Sequence, residues 1–156
     1  MIFRTHIAFA FLTGFFFYFS YKLIDNWILF FLFLFFGAGF PDIDHGKSRF
    51  GKNYLSRIFG LFSKHRGIFH SIFFGAVVAY LFFLFDGNAG FGFLFGFASH
   101  VVLDSFTKQG INFFYPFGKF TLRGFVKTGG ILETALFYFL VIINVILFGI
   151  KLSQSF

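Results

Sequence analysis

The chain has 156 residues, enough for one domain, and its 58% hydrophobic content and mean hydropathy of +0.82 stand well above the roughly 45–50% apolar usage of soluble domains. That composition excludes a water-soluble globule, because too few polar residues remain to coat its surface. The absence of cysteine excludes disulfides, thiolate metal sites and a cysteine nucleophile, and leaves histidine and carboxylate as the strong ligand types.

The first apolar segment, Ile7 to Tyr21, follows a short basic start and looks like a signal peptide. No A-x-A-like cleavage site follows it, so it is read as a retained transmembrane helix. Trp27 to Phe40, Ser71 to Phe85, Ala89 to Phe106 and Ile131 to Ile150 are the other apolar segments. Several are shorter than the roughly 20 residues that cross a bilayer core, a mismatch that borrowed flanking residues or local thinning absorbs. The expected fold is all-α: a polytopic membrane helical bundle of about five transmembrane helices forming one domain over residues 1–156. Four spans with one re-entrant piece is the alternative.

Threading the chain back and forth sorts the charges. Arg4, the loop at 42–70 and the loop at 105–130 share one side and hold eleven Lys and Arg residues, whereas the other side holds Lys22 and Lys151. Basic residues are retained in the cytoplasm during insertion, so the N-terminus is expected in, the C-terminus out, and both long loops cytoplasmic. In the first loop, Leu55, Ile58, Phe59 and Phe62 recur at helical spacing and predict a short interfacial helix over 54–62. The second loop, with Pro116 and glycines at 110, 118, 124, 129 and 130, reads as irregular, its FFYPF core dipping into the interface.

This topology rests on apolar runs and basic residues, and it sends all five histidines to the cytoplasmic level: His6, His45, His65, His70 and His100. Asp42, Asp44, Asp104 and Glu133 join them, while Asp25 and Asp86 fall in turns that need no special account. Each residue alone has an ordinary reading: an interfacial anchor, a capping aspartate, part of a solvated loop. Asp104 and Glu133 differ, since an ionisable group at membrane depth costs about 2.5–3.5 kcal/mol at the bilayer centre and is functional by default. His100 and Asp104 stand four apart on one helical face, within reach of one ion. Gly92 and Gly96 continue that face as a GxxxG stripe that lets a neighbouring helix approach and bring ligands inward. Donors of this kind, without sulfur, suit Zn²⁺, and also Mn²⁺ or Fe²⁺, as one or more ions.

The order T-H at 5 and 6, P-D-I-D-H at 41–45, H-R-G-x-x-H-S at 65–71, S-H-x-x-x-D-x-x-T-x-x-G at 99–110 and Y-P-F at 115–117 resembles the YdjM-like family of inner-membrane proteins. The resemblance implies a metal-dependent hydrolase, distantly similar to zinc-dependent phospholipase C and P1-type nucleases. It also implies a metal site of His6, Asp42, His45, His65, His70, His100 and Asp104. The expected function is hydrolysis at the cytoplasmic membrane face, on a phosphoester of a lipid or isoprenoid. Asp44 or Glu133 would serve as general base or orienting partner, and Arg66 would neutralise a phosphate. Membrane lipid is the expected partner, and no nucleic acid is. A metal-ion or proton transporter and a non-catalytic scaffold stapled by metal are the competing classes.

Overall fold

The computed structural model describes residues 1–20, 24–44, 67–118 and 120–153. Among them the chain forms five α-helices: α1 (Phe3–Ser20), α2 (Trp27–Gly39), α3 (Ile72–Phe85), α4 (Gly87–Ser105) and α5 (Ile131–Ser153). Each coincides with one of the five apolar segments, and the all-α expectation holds. The helices overrun or fall short of those segments where local chemistry dictates. Asn26 caps α2 by accepting from Leu29 N at 3.1 Å. Asp86 starts α4 two residues early by accepting from Asn88 N and Ala89 N. At the other end of α2, Pro41 cannot continue an α-helix, and the chain passes into a 3₁₀ turn over Phe40–Asp44.

The centre of the bundle is α4, which packs against α1, α2 and α3. Its closest neighbour is α2, and glycine sets the spacing. A Cβ on Gly92 would stand 2.3 Å from Phe30 O, one on Gly96 2.1 Å from Leu34 O, and one on Gly37 of α2 2.4 Å from Phe93 O. The two backbones are therefore in contact, as the GxxxG stripe predicts. Phe30, Leu34 and Ala38 are fully buried along this seam, and Phe93, Phe97 and Val101 carry the core to the α3 side.

Outward-facing positions are apolar as well. Ile28 and Leu32 on α2, Val77 and Leu84 on α3, and Ile142 and Val145 on α5 are all exposed. In water such a surface would drive aggregation; in lipid it is ordinary contact. Among the described residues α5 alone is both long and apolar enough to cross a membrane by itself, while α2 and α3 are apolar but shorter.

The segment between α4 and α5 is more ordered than its composition suggests. Two short strands, β1 (Ile111–Asn112) and β2 (Thr121–Leu122), pair antiparallel, and Thr107 bridges to Val126. Gly124 lets this segment return against α4, where a Cβ would meet Phe106 O at 2.2 Å. The interfacial helix expected at 54–62 lies outside the described residues.

Candidate metal centre

Four pieces of chain meet at one end of the bundle. α1 supplies His6, the 3₁₀ turn after α2 supplies Asp42, a second 3₁₀ turn (Ile68–His70) supplies His70, and α4 supplies His100 and Asp104. His6, His70, His100 and Asp104 are completely buried, and the Asp42 side chain is 17% exposed. Burying so many polar groups in an apolar bundle is costly unless they are paired or bound to an ion.

Their ligand atoms converge. His6 Nε2 lies 3.3 Å from Asp104 Oδ1, and Asp104 Oδ2 lies 3.7 Å from His70 Nε2 and 3.8 Å from His100 Nε2. Asp42 Oδ1 stands 3.9 Å from His100 Nε2. The rings of His6 and His100 stack, with centroids 3.7 Å apart and an 8° tilt. Two overlapping sets, His6 with His100 and Asp104 and Asp42 with His70 and His100, each bring their ligand atoms within 4.8 Å of one another. A tetrahedral zinc with bonds near 2.1 Å separates its ligand atoms by roughly 3.4 Å, so these spacings fit a divalent cation with little adjustment.

One contact decides the chemistry. His100 Nδ1 is 2.8 Å from the carbonyl oxygen of Ala38. A carbonyl only accepts, so Nδ1 carries the proton and a neutral His100 presents its Nε2 lone pair to the carboxylates of Asp42 and Asp104. That nitrogen has no hydrogen-bond partner among the described residues. A lone pair facing two anionic oxygens in a buried space repels them, and a cation between them reverses the sign. The donor set therefore fits a metal, with Ala38 in the orienting role that metal-bound histidines commonly have filled by a carbonyl.

Other side chains hold the scaffold. Thr107 Oγ1 donates to Asp104 O at 2.7 Å and Ser99 Oγ to Gly96 O at 2.7 Å. Ser71 Oγ donates to Tyr115 O, tying the start of α3 to the long loop. The Met1 amino group also contacts Asp104 Oδ1. Glu133 is buried, and its carboxylate accepts from the backbone N–H groups of Ile2 and Gly129. It is in neither ligand set.

Of the seven expected ligands, five are thus brought together: His6, Asp42, His70, His100 and Asp104. His45, His65 and Arg66 lie outside the described residues, as does the side chain of Asp44. Sequence reasoning missed Ala38, and no side-chain pattern could have found it, because the group that acts is a peptide carbonyl.

No solved structure matches the chain. The uncharacterized protein YvsG of Bacillus subtilis (strain 168) is 32% identical over 102 residues, which are 62% of this chain and 64% of that protein. The match therefore spans somewhat less than two thirds of the relative's length. The family described as YdjM inner membrane protein matches residues 1–154. With nearly every residue covered, the chain belongs to the YdjM inner membrane protein family.

Proposed function

We propose that this protein is a membrane-embedded, metal-dependent hydrolase that acts at the cytoplasmic face on a phosphoester of a lipid or isoprenoid. The observation that carries the reading is the buried convergence of three imidazoles and two carboxylates, with His100 Nε2 turned toward Asp42 and Asp104 by its bond to Ala38. Five spans with the N-terminus in and the C-terminus out account for the lopsided basic residues. Local bilayer thinning accommodates the shorter helices α2 and α3.

His6, Asp42, His70, His100 and Asp104 would hold the ion. Zn²⁺ suits them, with Mn²⁺ and Fe²⁺ as alternatives. A bound divalent ion supplies a more acidic water and a positive charge for phosphoryl oxygens. Asp104 spans the site, one oxygen toward His6 and the other toward His70 and His100. Asp44 takes the general-base role. Glu133, with its carboxylate engaged by two backbone donors, is the weaker choice for it. Arg66 neutralises the substrate phosphate. The address at a lipid surface and the basic loops favour an amphiphilic phosphoester over a soluble one.

The test is hydrolysis of a panel of lipid phosphoesters by purified protein in detergent, alongside His100→Ala and Asp104→Ala. Wild type should turn over at least one of them, and both variants should fall to background. Full activity in both variants would remove the centre from the chemistry. Metal uptake into proteoliposomes without hydrolysis would favour a transporter, and metal binding with neither would favour a structural staple.

A further inference from the structure

A cleft of about 920 Å³ runs between α1, α2 and α5, walled by Phe11 and Phe15, by Phe31, and by Val141 and Val145. It lies along a different face of α1 from the one that buries His6. Its volume is at the upper end of the roughly 300–1,000 Å³ of ligand pockets. Asn144 stands in the α5 wall, where Nδ2 donates to Ala8 O and Leu140 O, both at 2.8 Å. The helix backbones thus satisfy the amide donors and the side-chain oxygen of Asn144 is buried, so the cleft surface is mostly hydrocarbon, with the polar tips of Tyr18, Trp27 and Lys151 among its lining residues.

A cation marks each end. Arg4 lies with Cζ 4.8 Å from the centroid of Phe137, and Lys151 Nζ sits 5.1 Å from that of Tyr18. The α1 wall runs from Ile7 to Tyr18, so the trough is roughly 17 Å long at 1.5 Å per residue, and Arg4 stands three residues beyond its end. A bilayer core of about 30 Å gives each leaflet roughly 15 Å, so an occupant of the whole trough passes the midplane. Arg4 is exposed and only two residues before His6, which puts its charge at the level of the metal centre.

We propose that this cleft binds a membrane lipid with an anionic phosphate headgroup, one hydrocarbon chain filling the trough and the phosphate held by Arg4. Apolar walls exclude a charged or hydrated ligand from the trough, and the guanidinium favours a headgroup of net negative charge over a zwitterionic one, whose own ammonium offsets its phosphate. That this lipid is also the substrate rests on the hydrolase reading; that it binds does not.

Trp27, the one tryptophan of the chain, lines the cleft and reports on it. The full chain is reconstituted in phosphatidylcholine vesicles doped at equal mole fraction with chain-brominated phosphatidic acid or chain-brominated phosphatidylcholine, and Trp27 quenching is followed. Phosphatidic acid should quench more, half-saturating at low mole fraction. Arg4→Gln should weaken that apparent affinity about five-fold, the effect of one basic residue at an anionic lipid surface, and Arg4→Lys should restore most of it. Val145→Phe, which fills the cleft from a lipid-exposed position, should reduce quenching by both lipids. Turnover of the same phosphatidic acid is followed in parallel, and a phosphatidic acid preference without hydrolysis leaves the cleft standing while the hydrolase reading fails, so the two fail on separate signals. Equal quenching by the two lipids, unmoved by Arg4→Gln and Val145→Phe, would overturn the proposal. So would quenching that falls as protein density rises whatever the headgroup, the mark of a second copy in the cleft.

Discussion

The imidazole of His100 is held by the carbonyl of Ala38, 2.8 Å from Nδ1, so that Nε2 alone faces the carboxylates. A ligand fixed in this way should bind metal before any substrate is present. Purified wild-type protein should carry a divalent ion measurable by elemental analysis, and His100→Ala and Asp104→Ala should lose it on dialysis. Retention of full metal content by both would show that the ion sits elsewhere.

The same contact depends on helix spacing. Gly96→Ala places a methyl 2.1 Å from Leu34 O and 2.8 Å from Ala38 N, so α2 must move and carry the Ala38 carbonyl with it. Overpacking of this kind costs about 1–3 kcal/mol, and metal should dissociate more readily as well. Gly149→Ala is the control, since its Cβ meets nothing within 4 Å and removing a helical glycine stabilises by roughly 0.5–1 kcal/mol. Thermal unfolding in detergent, with and without chelator, separates the two variants.

Glu133 ties Ile2 N to Gly129 N. Glu133→Gln leaves one acceptor oxygen for two donors and should lower stability by about 1–3 kcal/mol, as loss of a charge-assisted hydrogen bond does, while metal content stays near wild type. Loss of hydrolysis with unfolding unchanged would restore Glu133 to the chemistry as a base.

Acid should empty the centre. His6, His70 and His100 ligate only as neutral imidazoles, so protons compete with the ion and metal content should fall as pH drops. The direction is fixed: the ion's contribution to stability is present at neutral pH and vanishes on acidification. Chelator should narrow the difference in melting temperature between neutral and acidic buffer, and a difference that chelator leaves unchanged would point to groups other than the ion.

The proposed topology has its own test. A reporter fused after Phe156 should be active outside the cytoplasm, and one inserted in the 42–70 loop should be active inside. A cytoplasmic C-terminus would overturn either the odd number of spans or the orientation.

Much of this architecture was legible in the sequence. The five apolar runs located the five helices, because lipid-facing and core-facing positions are both apolar and polar residues mark the breaks. Gly92 and Gly96 announced a close neighbour, and His100 with Asp104 announced the ligand face, since four-residue spacing is a property of one helix. Which histidines meet was another matter. His70 and His6 lie far apart in the chain, and only the packing of α1 and α3 on α4 brings them together. The β1–β2 pair escaped notice because two-residue strands carry no readable periodicity. The hydrogen bonds of Glu133 to Ile2 and Gly129 depend on tertiary packing and leave no trace in the sequence around it.

The orienting partner of His100 is a peptide carbonyl, and this has a consequence for how the centre can change. Substituting Ala38 does not delete its oxygen, so no single codon encodes the contact. Inheritance reaches it only through the residues that keep two helices touching, Gly37, Gly92 and Gly96. Mutational drift at the metal centre would therefore register first as lost glycines in the seam, one to two turns away from the ion.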